Sequence, residues 1–179
     1  MDRSTTFSVT VGSLAFVVFA LLLMFLAILP LSNLPGRIPG PDLVLAASLV
    51  WIIRRPETVP PLVIAAVILV QDLLTLRAPG LTAAAVLMVS EYLKARRLLT
   101  TEVPFIFEWT VAASMMACIM IGVSAVLAIF SAPGPELLPL LVQLFFTILF
   151  YPVMVGVARL IFGIGRPTHS RSANPSARP

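Results

Sequence analysis

The 179-residue sequence predicts an all-α, polytopic integral membrane protein of six transmembrane helices, with both termini on the cytoplasmic side. Composition, apolar run lengths and the placement of basic residues lead there. Apolar residues make up 59% of the chain and charged residues 11%, with a mean hydropathy of +1.05. A soluble domain carries about a quarter charged residues. With so little polar surface the chain cannot cover its apolar bulk in water, so its natural solvent is a bilayer.

A helix crosses the hydrocarbon core with about 20 apolar residues. Three runs meet that length, at 9–31, 107–131 and 137–162. The first is longer than the roughly 7–15-residue core of a cleavable signal and lacks an A-x-A site, so it is read as a retained span. Three shorter runs lie between, at 42–53, 62–74 and 81–93. Either each extends into its flanks, to about 40–55, 59–76 and 79–97 in a shielded or thinned bilayer, or some are buried half-spans. Pro41 and Pro60–Pro61 suit a first helical turn, where the missing N–H costs nothing.

The basic residues test the count. Six spans starting inside place Arg3, Arg54, Arg55, Lys94, Arg96, Arg97, Arg159, Arg166, Arg171 and Arg178 inside and only Arg37 and Arg77 outside. This obeys the positive-inside rule, which five spans would scramble. It also explains the net charge of +4 without nucleic acid. Residues 1–162 form the transmembrane domain. Residues 163–179, GIGRPTHSRSANPSARP, hold no apolar anchor and read as a disordered basic cytoplasmic tail.

Polar residues within the spans are the candidate functional groups. Gln71 and Asp72 lie near the outer end of the third span, and Asp42 begins the second at the same level as Arg37 and Arg77. A carboxylate near hydrocarbon pairs or faces protein. Asp72 is therefore expected to pair with Arg37 or Arg77, pinning the second and third spans; the alternative leaves it in the headgroup zone. Glu91 and Lys94 have i,i+3 spacing. Glu108 and Asp42 suit helix N-termini. Trp51, Trp109 and Tyr92 near span ends read as belt anchors. Ser114, Cys118 and Gly122 recur every four residues in the fifth span, a spacing that lets helices approach closely, within the chain or with another protein.

The sequence offers no Cys/His/carboxylate set for a metal and no Gly-rich phosphate loop, and its one histidine, His169, sits in the tail. No enzyme activity and no cofactor are expected. The single cysteine, Cys118, excludes an internal disulfide.

Three segments carry a family likeness: GRIPGPDLVLAASLVWIIRRPE (36–57), LVQDLLTLRAPGL (69–81) and VSEYLKARR (89–97). In their order the chain resembles MreD, a small membrane protein of the bacterial rod-shape system. The matching positions are Pro39 and Pro41, Trp51, Asp72, Pro79–Gly80 and Tyr92; where the family often has Gly-Leu before the Asp, this chain has Leu69-Val70-Gln71. The resemblance implies a non-catalytic scaffold of the cell-elongation complex in the bacterial inner membrane. Its partners would be MreC and, directly or indirectly, MreB, RodA and its transpeptidase, in lateral peptidoglycan synthesis. It also implies a fold similar to the six-helix binding subunits of vitamin transporters. The runner-up is therefore a substrate-binding membrane subunit of a small-molecule transporter.

Overall fold

The computed structural model describes residues 3–29, 40–96, 104–132 and 134–163. They form α1 (Arg3–Ile28), α2 (Leu43–Arg54), α3 (Pro61–Leu74), α4 (Leu81–Arg96), α5 (Phe105–Ile129) and α6 (Leu137–Phe162), with a 3-10 turn at Pro56–Thr58 and no strand among the described residues. The expected all-α class and six helices are present. The predicted tail and Arg37 lie outside the described residues, as does Arg97.

Helices α1, α5 and α6 are long and apolar enough to cross a membrane. At 1.5 Å per residue α6 is about 39 Å long and α2 about 18 Å, against a hydrocarbon core of about 30 Å. Helix α4 runs to Arg96, close to its expected extent, but α2 and α3 do not extend into their flanks as expected, for local reasons. Asp42 caps α2 by accepting from the Leu45 N–H at 3.1 Å, which leaves Pro41 outside the helix. Arg55 precedes Pro56 and turns to φ −140°, because proline disfavours the helical region for the residue before it. Pro61 does open α3. That helix stops where Leu76 takes φ +54°, and Gly80 at φ +86° leads into α4.

The second helix is the axis of the bundle. Every residue from Val44 to Arg54 is buried, and α2 packs against all five other helices. A short helix apolar on all sides belongs inside protein, and the five neighbouring helices shield α2 from the surroundings. Helices α3 and α4 keep exposed faces, with Leu62 and Met88 among their outward residues. Trp51 is 1% exposed, not a belt residue. Its ring lies 5.7, 5.5 and 5.2 Å from those of Phe16, Phe19 and Phe162. These contacts join α1, α2 and α6 at one end of the bundle.

Contacts between helices also fix chain direction. The start of α2 meets Thr147 of α6 and its end meets Phe162, so the two run parallel. The end of α3 and the start of α5 lie at opposite ends of α2, so both run against it. Ser13 in the first half of α1 donates to the Thr58 carbonyl at 2.6 Å, just past the end of α2. Lys94 near the end of α4 reaches the Val59 carbonyl at 3.4 Å. Successive helices therefore alternate direction. Close approach at α1 requires glycine: a Cβ on Gly12 would stand 2.7 Å from the Thr58 Cβ.

Pro152 lies inside α6 and has no N–H for the carbonyl of Ile148. The indole Nε1 of Trp109 donates to that carbonyl at 3.0 Å. Half-buried Trp109 thus completes a broken helix ladder, a role beyond the expected belt anchoring. Outward residues such as Phe25, Ile129, Phe145 and Leu160 are more than half exposed. Apolar surface on that scale fits a bilayer environment.

Candidate functional site

Buried polar side chains gather at the two ends of α2. At its start Asp42 is the hub. As well as capping its own helix, its carboxylate accepts from Gln71 Nε2 at 2.7 Å and Arg77 Nη1 at 2.8 Å. Its backbone N–H donates to Thr147 Oγ1 at 2.9 Å, and that hydroxyl donates to the Gln143 carbonyl at 2.7 Å. One residue so links α2, α3, the α3–α4 connection and α6.

The expected Asp72 pairing is not what forms with Arg77. Asp42, not Asp72, holds that arginine. Asp72 is fully buried and its Oδ2 accepts the Gly80 N–H at 3.1 Å, while Oδ1 has no partner among the described residues. Its backbone carbonyl accepts the Arg77 N–H at 3.0 Å. Asp72 therefore clips the turn between α3 and α4. The expected joining of the second and third helices does occur, through Asp42, Gln71 and Arg77. Pairing of Asp72 with Arg37 falls outside the described residues.

The depth of this hub also differs from expectation. Thr147 stands ten residues into α6, about 15 Å along it. The short helices end well below the start of α6, so Asp42 lies in a recess and not at the rim. The recess is a cavity of about 350 Å³ between Asp42, Arg77, Thr82, Met120, Leu127 and Gln143.

At the other end of α2, Arg54 and Glu108 form a buried bidentate pair, with Nε to Oε1 at 2.8 Å and Nη2 to Oε2 at 3.0 Å. Tyr151 Oη donates to Glu108 Oε1 at 3.1 Å. Arg54 Nη1 has no partner among the described residues. The arginine sits in the last turn of α2 and the glutamate in the first turn of α5, so each charge also meets the favourable end of its own helix dipole. Sequence reading gave Glu108 only the second role and passed over Tyr151. The available signal was that six alternating spans place Arg54 and Glu108 at one level.

Glu91 and Lys94 pair at 3.3 Å on α4 as their spacing predicts. Tyr92 is exposed near the helix end. Ser114, Cys118 and Gly122 are exposed, and no atom lies within 4 Å of a Cβ built on Gly122. Their close packing inside the chain, one of the two expected arrangements, does not form. Cys118 and Gly122 instead line an apolar groove of about 580 Å³ with Ala84, Ala85 and Met88 of α4. No cluster of three or more His, Cys, Asp or Glu suited to a metal occurs among the described residues. No protein-family model, curated protein or solved structure matches the chain.

Proposed function

We propose that this chain is a six-span, non-catalytic scaffold of the MreD type in the bacterial inner membrane. It binds MreC and helps direct lateral peptidoglycan synthesis and cell shape. The observation that carries this reading, beside the sequence resemblance, is that buried charges at both ends of α2 bond helix to helix: Asp42 to α3 and its connection, Arg54 to α5. Charges used this way hold a frame together.

The topology has its own support. Helices of alternating direction put Arg54, Arg55, Lys94 and Arg159 at one end of the bundle and Arg77 at the other, as the positive-inside rule requires of a chain with cytoplasmic termini. The α4–α5 groove with its small residues is the surface this reading assigns to MreC. Tagged protein purified from native membranes in mild detergent is expected to carry stoichiometric MreC, and Gly122→Leu to lose it; wild-type protein free of MreC overturns the scaffold. A reporter beside Lys94 that is labelled from outside intact cells overturns the topology.

The recess above Asp42 is the one observation favouring the runner-up, a substrate-binding subunit of a vitamin-type transporter. A retained small molecule with no protein partner in the same purification selects it.

A further inference from the structure

Three polar groups on the wall of the recess are uncommitted. Arg77 gives one N–H to Asp42, and its other guanidinium donors bond no described residue. Thr82 is 7% exposed, yet its hydroxyl bonds no described residue, and neither does the Gln143 side-chain amide. Arg77 and Gln143 are half-buried and Thr82 is nearly buried, and none of their polar atoms is among the sealed, unpartnered atoms of the core, so these groups open to the cavity. Here they share one cavity. Apart from Asp42 and Ser124, whose hydroxyl donates to the Met120 carbonyl, the rest of its wall is mainly apolar, with Ile119, Val123, Leu127 and Leu140. From Ile119 to Leu127 the α5 wall is about 12 Å long.

Chemistry and size select a class of ligand. Guanidinium, hydroxyl and amide N–H together donate to an oxyanion, and arginine's fork matches carboxylate or phosphate geometry. Asp42 holds one Nη1 of that arginine and so fixes its position. Its negative charge is already met by Arg77, Gln71 and the Leu45 N–H. A cavity of about 350 Å³ is at the small end of the roughly 300–1,000 Å³ range for ligand sites. That suits one chain or ring and not a two-chain lipid.

We infer that the recess between α2, α4, α5 and α6 binds a small amphipathic acid, its carboxylate or phosphate on Arg77, Thr82 and Gln143 and its apolar body along α5. This stands apart from the scaffold proposal, because neither MreC binding nor its absence bears on the cavity. The same chemistry has two sources, a free acid or a single-chain membrane lipid.

The test uses full-length protein in phosphatidylcholine nanodiscs, with octyl phosphate as probe and octanol as control. One saturable site is expected, with octanol at least tenfold weaker. Arg77→Gln is expected to weaken octyl phosphate at least tenfold and Thr82→Val severalfold. Ser124→Phe, which fills the cavity and leaves the Asp42–Arg77 pair intact, is expected to weaken it as much as Arg77→Gln and decides the matter should the latter fail to fold. Equal binding of octanol, or binding indifferent to Ser124→Phe, overturns the inference. Nanodiscs preloaded with lysophosphatidic acid separate the sources: competition supports a single-chain lipid in the site, and its absence supports a free acid there.

Discussion

At the Arg54 end of α2 both charged side chains are almost fully buried, at 1% and 2% exposure; at the Asp42 end the carboxylate is 3% exposed but its arginine is 34% exposed. The first pair is closed, with two parallel bonds and a tyrosine hydroxyl. The second is distributed, one carboxylate serving a helix cap, an amide and a half-wet guanidinium. The difference is one of dependence. In a closed pair each charge has the other as its principal compensation in a low-dielectric site. In the distributed hub several weaker bonds share the carboxylate, and one partner reaches toward the recess. A rigid end and an adaptable end therefore sit about 18 Å apart on one short helix.

The largest expected effect breaks the closed end. Glu108→Ala strands a buried arginine and is expected to cost about 3–5 kcal/mol, measured as unfolding in mixed detergent micelles. The double replacement Arg54→Met with Glu108→Leu is expected to recover most of that loss, since apolar substitutes for a buried pair are often neutral. A double variant as unstable as Glu108→Ala would mean that the pair itself, and not its imbalance, stabilises the junction of α2 and α5.

Asp42→Ala tests the distributed end. It removes the α2 cap and leaves the Gln71 amide without its acceptor, while Arg77 keeps access to the recess. The expected loss is about 2–3 kcal/mol, smaller than for Glu108→Ala. Salt sharpens the contrast: the half-exposed Arg77 is open to screening, whereas the Arg54 pair is not. The stability difference between wild type and Arg77→Gln is thus expected to shrink between low and high ionic strength. An Asp42→Ala loss equal to or above that of Glu108→Ala would remove the distinction between the two ends.

Trp109→Phe probes the closed end by a different route. It keeps the ring but withdraws the indole N–H from the Ile148 carbonyl that Pro152 leaves open. The expected cost is about 1–2 kcal/mol, for an unmet half-buried acceptor. Restoring the helix donor with Pro152→Ala should abolish most of the cost of Trp109→Phe. Additive losses in the double variant would show that the bond to Ile148 is incidental.

How much of this was legible varies with the range of the interaction. The bounds of α6 at Leu137–Phe162 match the apolar run because Glu136 and Gly163 end it sharply. The ends of α2 and α3 differ by a few residues from their expected extents because caps, pre-proline geometry and a left-handed residue act locally and leave no trace in hydropathy. Which charges share an end of the bundle was readable from their order along alternating helices. Radial position was not: Trp51 lies near the end of its helix yet points to the bundle axis, and Ser114, Cys118 and Gly122 have the spacing of a contact yet face outward. Which helix opposes which is decided by packing across the whole chain. Arg54 and Glu108 are 54 residues apart, and nothing local to either announces the other.

Asp72 gives the smallest expected effect and the finest test of the hub. Its Oδ2 serves one backbone N–H, that of Gly80, and its Oδ1 is buried without a described partner. Turn closure needs an acceptor at that point, and an amide oxygen is one. The charge adds strength to the bond but carries a desolvation cost on the unpartnered oxygen. These two effects oppose each other, so Asp72→Asn is expected to change stability by no more than about 0.5 kcal/mol, against about 1–2 kcal/mol for Asp72→Ala. If the two substitutions prove equally damaging, the negative charge itself is needed, and a cation must meet Asp72 after all. The division of labour at this end would then shift from Asp42 alone to both carboxylates. If Asn is tolerated and Ala is not, Asp72 is a turn clip and, among the described residues, Asp42 remains the carboxylate at this end that holds a cation.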